Sequence, residues 1–141
     1  MPFAARNFYD LALWLVQQRT DEVSLRTAIS RAYYAGHLLA VQKLVQKGWE
    51  PRGGGEDHGR VLQELRSRRT RNLAGMLDQL REFRDHADYH LDTSDTVRNQ
   101  HCKLCRQLRE LFITSEPVVN QNHWEEAKEV SERLFPLLKK L

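Results

Sequence analysis

The 141-residue chain is expected to fold as an all-α protein, an up-down bundle of five to six helices. Apolar residues recur three and four apart along most of its length, the spacing of amphipathic helices. Alternating apolar and polar stretches, the mark of half-buried strands, are nearly absent, and there are only four prolines. The length suits one domain spanning 1–141, large enough to bury a core without disulfide staples.

The elements follow in order. A first helix at about 3–18 should turn Phe8, Leu11, Trp14 and Leu15 inward. Thr20 or Ser24 could cap the second helix, "SLRTAISRAYYAGHLLAVQKLVQK", whose stripe is Leu25, Ala28, Ile29, Ala32, Gly36, Leu39 and Leu44. Its small residues Ala28, Ala32 and Gly36 let another helix approach closely, and Gly48 stops it. "GWEPRGGGEDHG", at about 48–59, holds five glycines and a proline and reads as a flexible loop. Further helices are expected at about 60–68, 72–91, 96–112 (after "DTSD") and 124–138 (after "SEPVVNQN"). The stretch at about 95–122 has no assigned role.

The charge balance is +3, from 22 Lys and Arg against 19 Asp and Glu, so nucleic-acid binding has to come from local patches rather than from the whole surface. No apolar run is long enough to cross a bilayer, and "MPFAARNFYDLALWLVQQR" lacks the basic start and small-residue cleavage site of a secretory leader. Cys102 and Cys105 are the only cysteines, which is not a secreted disulfide framework. A soluble, cytoplasmic protein without a membrane partner is expected.

The chemistry concentrates in "REFRDHADYH", residues 81–90. On a wheel of about 100° per residue, Met76, Leu77, Leu80, Phe83, Ala87 and Leu91 share an arc of about 120° with Leu73. Arg84 falls inside that arc and His90 at its edge, with Ala87 leaving space between them. Arg81, Glu82, Asp85 and Tyr89 lie opposite, and His86 points further out. The plain alternative is an Arg84–Asp88 pair four residues apart, worth a few tenths of a kcal/mol on a helix surface. A functional pair would be suited to phosphodiester cleavage: His90 near neutral pKa activates the ribose 2′-hydroxyl while Arg84 forks onto phosphate oxygens. That route needs no metal and no cofactor.

In this segment the sequence resembles HEPN-domain proteins, a small all-helical family whose nucleases share an arginine, a polar residue and a histidine a short distance on, here Arg84, Asp85 and His90. "SRAYYAGHLLAVQKLV" is similar to the family's long second helix, "HGRVLQELR" to its third, "LREFRDHADYH" to its motif helix and "WEEAKEVSERLFPLLKKL" to its closing helix. The resemblance implies a homodimer whose motif helices meet and cut RNA without metal, as a toxin paired with a nucleotidyltransferase antitoxin or as an effector of prokaryotic antiviral defence. It makes Arg84, His90 and Asp85 catalytic; the helical spacing adds Asp88 as the restraint on Arg84, and Tyr89 is taken as a supporting residue. Members carrying the "ADY" signature without the histidine imply the alternative, a non-catalytic module that binds a nucleotide or a nucleotidyltransferase.

Four arginines in "RSRRTR", Arg66, Arg68, Arg69 and Arg71, are dense enough to hold RNA phosphates in a salt-sensitive way, or else form a solvated helix end. Arg31 could reach a phosphate and Tyr33 and Tyr34 could stack on bases, although packing is the commoner use of such aromatics. His86 and His90 have a metal-ligand spacing, to which Asp85 or Asp92 could add oxygens, but the wheel separates them from any obvious third ligand helix. "HCKLC" at 101–105 offers half of a zinc site and is left without a complementary half, so ordinary helical cysteines are expected.

Overall fold

The computed structural model describes residues 3–90, 102–110 and 118–141. Six helices account for most of them: α1 (Arg6–Gln18), α2 (Glu22–Gln46), α3 (Asp57–Ser67), α4 (Arg71–Tyr89), α5 (Lys103–Glu110) and α6 (Gln121–Lys139). Among the described residues there is no strand, so the all-α class holds. The expected helix beginning at about 96 is described only from Lys103 to Glu110, and Leu91 and Asp92 lie outside the described residues.

The long helix α2 is the axis of the bundle. It packs against α1, α3, α4 and α6 and is buried around most of its circumference, from Leu25, Ala28 and Ile29 through Tyr33, Gly36 and Ala40 to Leu44. Its N-cap is Asp21, whose carboxylate accepts from the Ser24 backbone N–H at 3.2 Å, rather than the expected Thr20 or Ser24. An aspartate cap also places negative charge at the positive end of the helix dipole. α6 opens on a reciprocal box in which Asn120 and His123 each bond the other's backbone N–H.

The small residues of α2 act as expected. A Cβ on Gly36 would lie 3.4 Å from both Leu134 Cδ2 and Leu77 Cδ1, so α4 and α6 both close onto this position. Gly36→Val is therefore expected to destabilise the fold by about 1–3 kcal/mol through overpacking, read as a lowered urea midpoint. Gly36→Ala, which trades tight contact for helix propensity, should change it far less.

α1 departs from expectation. Leu11 and Trp14 are 47% and 56% exposed, and the fully buried positions are Tyr9 and Ala12. Tyr9 packs edge-on against Phe135 at 4.9 Å and donates to Glu132 at 3.1 Å. The anchoring of α1 by this polar tyrosine, with Ala12 allowing close approach to α2, rotates the larger Leu11–Trp14 stripe outward.

The glycine-rich loop is tied at its end. Asp57 accepts from the backbone N–H groups of Arg52 (3.0 Å) and Gly53 (2.6 Å) and from Arg60 (2.7 Å). These bonds hold its carboxyl down at about 2, chiefly through the backbone donors. α3 starts there, three residues earlier than the spacing suggests, and this places His58 against α2.

Candidate functional site

Arg84 is the anomaly the wheel picks out, and the structure buries it, at 6% exposure. Its guanidinium lies 5.1 Å from the Tyr33 ring, 5.8 Å from Tyr34 and 5.5 Å from Tyr89, a cation held against three electron-rich faces. It donates to Tyr89 Oη at 3.1 Å and pairs with Asp85 at 3.2 Å. Asp88 does not restrain it as expected, because Asp88 accepts from Ser30 Oγ at 3.0 Å instead. Asp85 and Tyr89, expected on the polar side, are the residues that hold the guanidinium.

Two histidines outside residues 81–90 face this cradle. Tyr33 Oη and His58 Nδ1 share a short hydrogen bond, and the His37 and His58 rings stack at 4.2 Å. Burial, the neighbouring His58, and the charges of Arg84 and Arg81 push His37 down to about 4. Burial and the same two arginines lower His58 as well, so both imidazoles are neutral beside fixed positive charge. Arg84 Nε, Arg81 Nε and His37 Nδ1 are buried without a hydrogen-bond partner among the described residues. Buried polar atoms are seldom left so, and three on basic groups around one locus make a cradle suited to an anion.

Arg81 also opens onto a shallow groove of about 480 Å³ between α3 and α4, lined in addition by Arg60, Arg66 and Asp78. Of the arginines expected to hold RNA, Arg66 lies in this groove opposite Asp78 at 3.9 Å. Arg68 is paired with Glu64 at 2.8 Å, Arg69 forms the left-handed turn after α3 with φ 64°, and Arg71 is exposed at the start of α4. Arg31 lies over Phe8 and Tyr34 at 5.1 and 5.0 Å, which ties it to packing between α1 and α2.

His90 goes elsewhere. It caps the C-terminus of α4 with extended backbone, and its Nδ1 faces His86 Nδ1 and Cys105 Sγ, each at 3.4 Å. His86, expected to point outward, is 1% exposed. The wheel considers one core, whereas α4 is covered on a second side by α5, Val118 and His123. His86 Nε2 meets the Val118 carbonyl at 2.6 Å, and its Nδ1 meets Cys105 Sγ at 3.2 Å and Cys102 Sγ at 3.4 Å. The two half-sites expected to stay apart, "HADYH" and "HCKLC", thus converge, with all four ligand-type atoms within 4.8 Å of one another.

For the histidines that its reading passes over, the sequence carries local spacings but not their meeting. Tyr33 and His37 are four apart on one helix, and His58 directly follows the Asp57 clasp. No family model, curated protein or solved structure matches this chain, so the functional reading rests on the geometry of the Arg84 cradle and of the histidine-cysteine cluster.

Proposed function

We propose that the chain is a HEPN-like endoribonuclease of toxin or defence type, acting as a homodimer and cutting RNA without metal. The observation that supports this most is the cradle at Arg84, where the buried Nε atoms of Arg84 and Arg81, without partners among the described residues, adjoin the neutral His37 and His58. Arg84 and Arg81 would receive the phosphate, and the adjoining groove would carry the strand. His58, half-buried and next to Tyr33, is better placed than His90 to take the 2′-hydroxyl proton. With Nδ1–H donating to Tyr33 Oη, His58 keeps a lone pair on Nε2 for that proton. The 2′-oxygen then bonds to phosphorus, the P–O5′ bond breaks, and the departing 5′-oxygen is protonated by water, which leaves a 2′,3′-cyclic phosphate.

The test is cleavage of single-stranded RNA in buffer without added divalent ions, with product ends identified. Cyclic phosphate is expected, and His58→Ala should lower the rate by about 10²–10⁴-fold, the usual weight of a general base. If cleavage falls instead in a folded His90→Ala variant and survives His58→Ala, the proton acceptor is His90, as the arginine-histidine spacing suggests.

A second reading is favoured by the placement of His90 among cysteines: a non-catalytic module that holds a nucleotide, or a nucleotidyltransferase partner, through the Arg84 cradle. The exposed Leu11 and Trp14 on α1 give such a partner an apolar surface. RNA left intact by the wild-type protein, together with nucleotide binding that Arg84→Ala abolishes, would select this reading.

A further inference from the structure

We propose that His86, His90, Cys102 and Cys105 bind one Zn²⁺ in a closed, four-coordinate structural site. This stands independently of the activity at Arg84. Zn–N bonds of about 2.0–2.1 Å and Zn–S bonds of about 2.3 Å at tetrahedral angles put two nitrogens about 3.4 Å apart and a nitrogen and a sulfur about 3.6 Å apart. The two Nδ1 atoms are 3.4 Å apart, and three nitrogen-sulfur separations are 3.2, 3.4 and 3.4 Å. The cluster therefore already has close to the dimensions of a zinc coordination sphere.

The outer contacts aim the ligands. A backbone carbonyl only accepts, so His86 must carry its proton on Nε2, facing Val118 O at 2.6 Å. Its Nδ1 is then a lone pair directed at the two sulfurs and at His90, the arrangement in which the second nitrogen of a ligating histidine is hydrogen-bonded to backbone. Cys102 immediately precedes α5, and its sulfur accepts from the Cys105 backbone N–H at 3.4 Å, which holds it at the start of that helix. The spacing is also apt: two histidines four apart at the end of one helix and two cysteines three apart at the start of another.

Charge and softness select the ion. Two thiolates and two neutral imidazoles cancel the charge of a divalent cation, so a site in which His86 and Cys105 are fully buried needs no further counter-ion. Binding moves two thiol protons to solvent and forms two Zn–S and two Zn–N bonds, with no change of oxidation state. Mixed sulfur and nitrogen ligands in a tetrahedron suit zinc, and four protein ligands leave no open position for catalysis. The ion would fasten the last turn of α4, which carries Asp85 and Tyr89, to the first turn of α5.

The experiment uses the full chain, without a polyhistidine tag, produced in zinc-supplemented medium and purified without chelator. Elemental analysis is expected to find about one zinc per chain. Cobalt exchanged into the wild-type protein should give the intense visible bands of tetrahedral Co²⁺ and a thiolate-to-cobalt charge-transfer band. Thiol titration should find both cysteines protected until zinc is withdrawn. Cys105→Ser and His90→Ala should each lose most of the zinc, while His58→Gln keeps it. Because ligand variants can lose the fold, the wild-type cobalt spectrum is decisive without them. Wild-type protein that carries almost no zinc and shows no charge-transfer band with cobalt overturns the proposal, as does full zinc retention in the Cys105→Ser/His90→Ala double variant.

Discussion

Arg84→Ala is expected to lower the proposed RNA cleavage by about 10²–10³-fold, the loss that follows removal of one preorganised donor from a developing oxyanion. The guanidinium is already fixed by Tyr89 Oη at 3.1 Å, Asp85 at 3.2 Å and three aromatic faces, so little reorganisation would accompany the proposed reaction. Its Nε–H is buried and has no hydrogen-bond partner among the described residues, which leaves a donor for phosphate. Arg84→Lys retains charge but loses the planar fork and should fall between wild type and alanine. Thermal melts of each variant separate a lost contact from a lost fold. Unchanged cleavage in a folded Arg84→Ala protein would remove Arg84 from the chemistry. Salt dependence is the companion measurement: binding through Arg84, Arg81 and the groove should weaken linearly on a logarithmic plot, and the slope should flatten by about one phosphate contact in the variant.

Acid should weaken the fold through His37. Its folded pKa of about 4 lies below the ordinary 6.5, because burial and then the neighbouring His58, Arg84 and Arg81 disfavour the imidazolium. Between these values the unfolded chain takes up a proton that the folded chain refuses, so stability is full above about pH 6.5 and declines as pH falls toward 4. A depression of this size corresponds to about 3 kcal/mol when complete. His37→Phe retains a ring to stack on Tyr33 and His58 but cannot titrate. Urea midpoints at pH 7.5 and 4.5 should therefore differ less in the variant. An equal loss in both proteins would assign the acid sensitivity to other groups, of which His86, also lowered to about 4 by burial, is the first candidate.

Helix periodicity carries most of the fold because each amphipathic stripe reports its own burial, and α2, α3, α4 and α6 begin and end within a few residues of where the pattern puts them. It fails where a helix has two covered faces. For α4 the wheel finds the face toward α2 and places Arg84 on it, yet sends His86 to solvent, because the second cover comes from Cys105, Val118 and His123, remote in sequence. Arg84 is legible as a polar residue in an apolar stripe. His37 and His58 are not, since their meeting depends on where α3 starts, and that depends on the Asp57 clasp. Leu11 and Trp14 mislead for a related reason: size and hydrophobicity suggest burial, but Tyr9 and Ala12 are the positions that fit against the bundle.

The bond from His86 to the Val118 carbonyl belongs to a closed circuit. The Val118 backbone N–H donates to Glu22 at 3.1 Å, Glu22 pairs with Arg26 at 3.2 Å, and Arg26 donates to the Ala87 carbonyl at 2.7 Å, one residue from His86. Two of its links join residues 61 and 96 positions apart in the chain. Contacts of such separation are expected to form late, after the local helices and the close packing of α1 on α2, because a long loop must be closed before either link is made. The circuit then works as a latch on folding. Amide exchange at the last turn of α4 should be faster than in the middle of α2, and opening there should be the first step by which the native bundle comes apart.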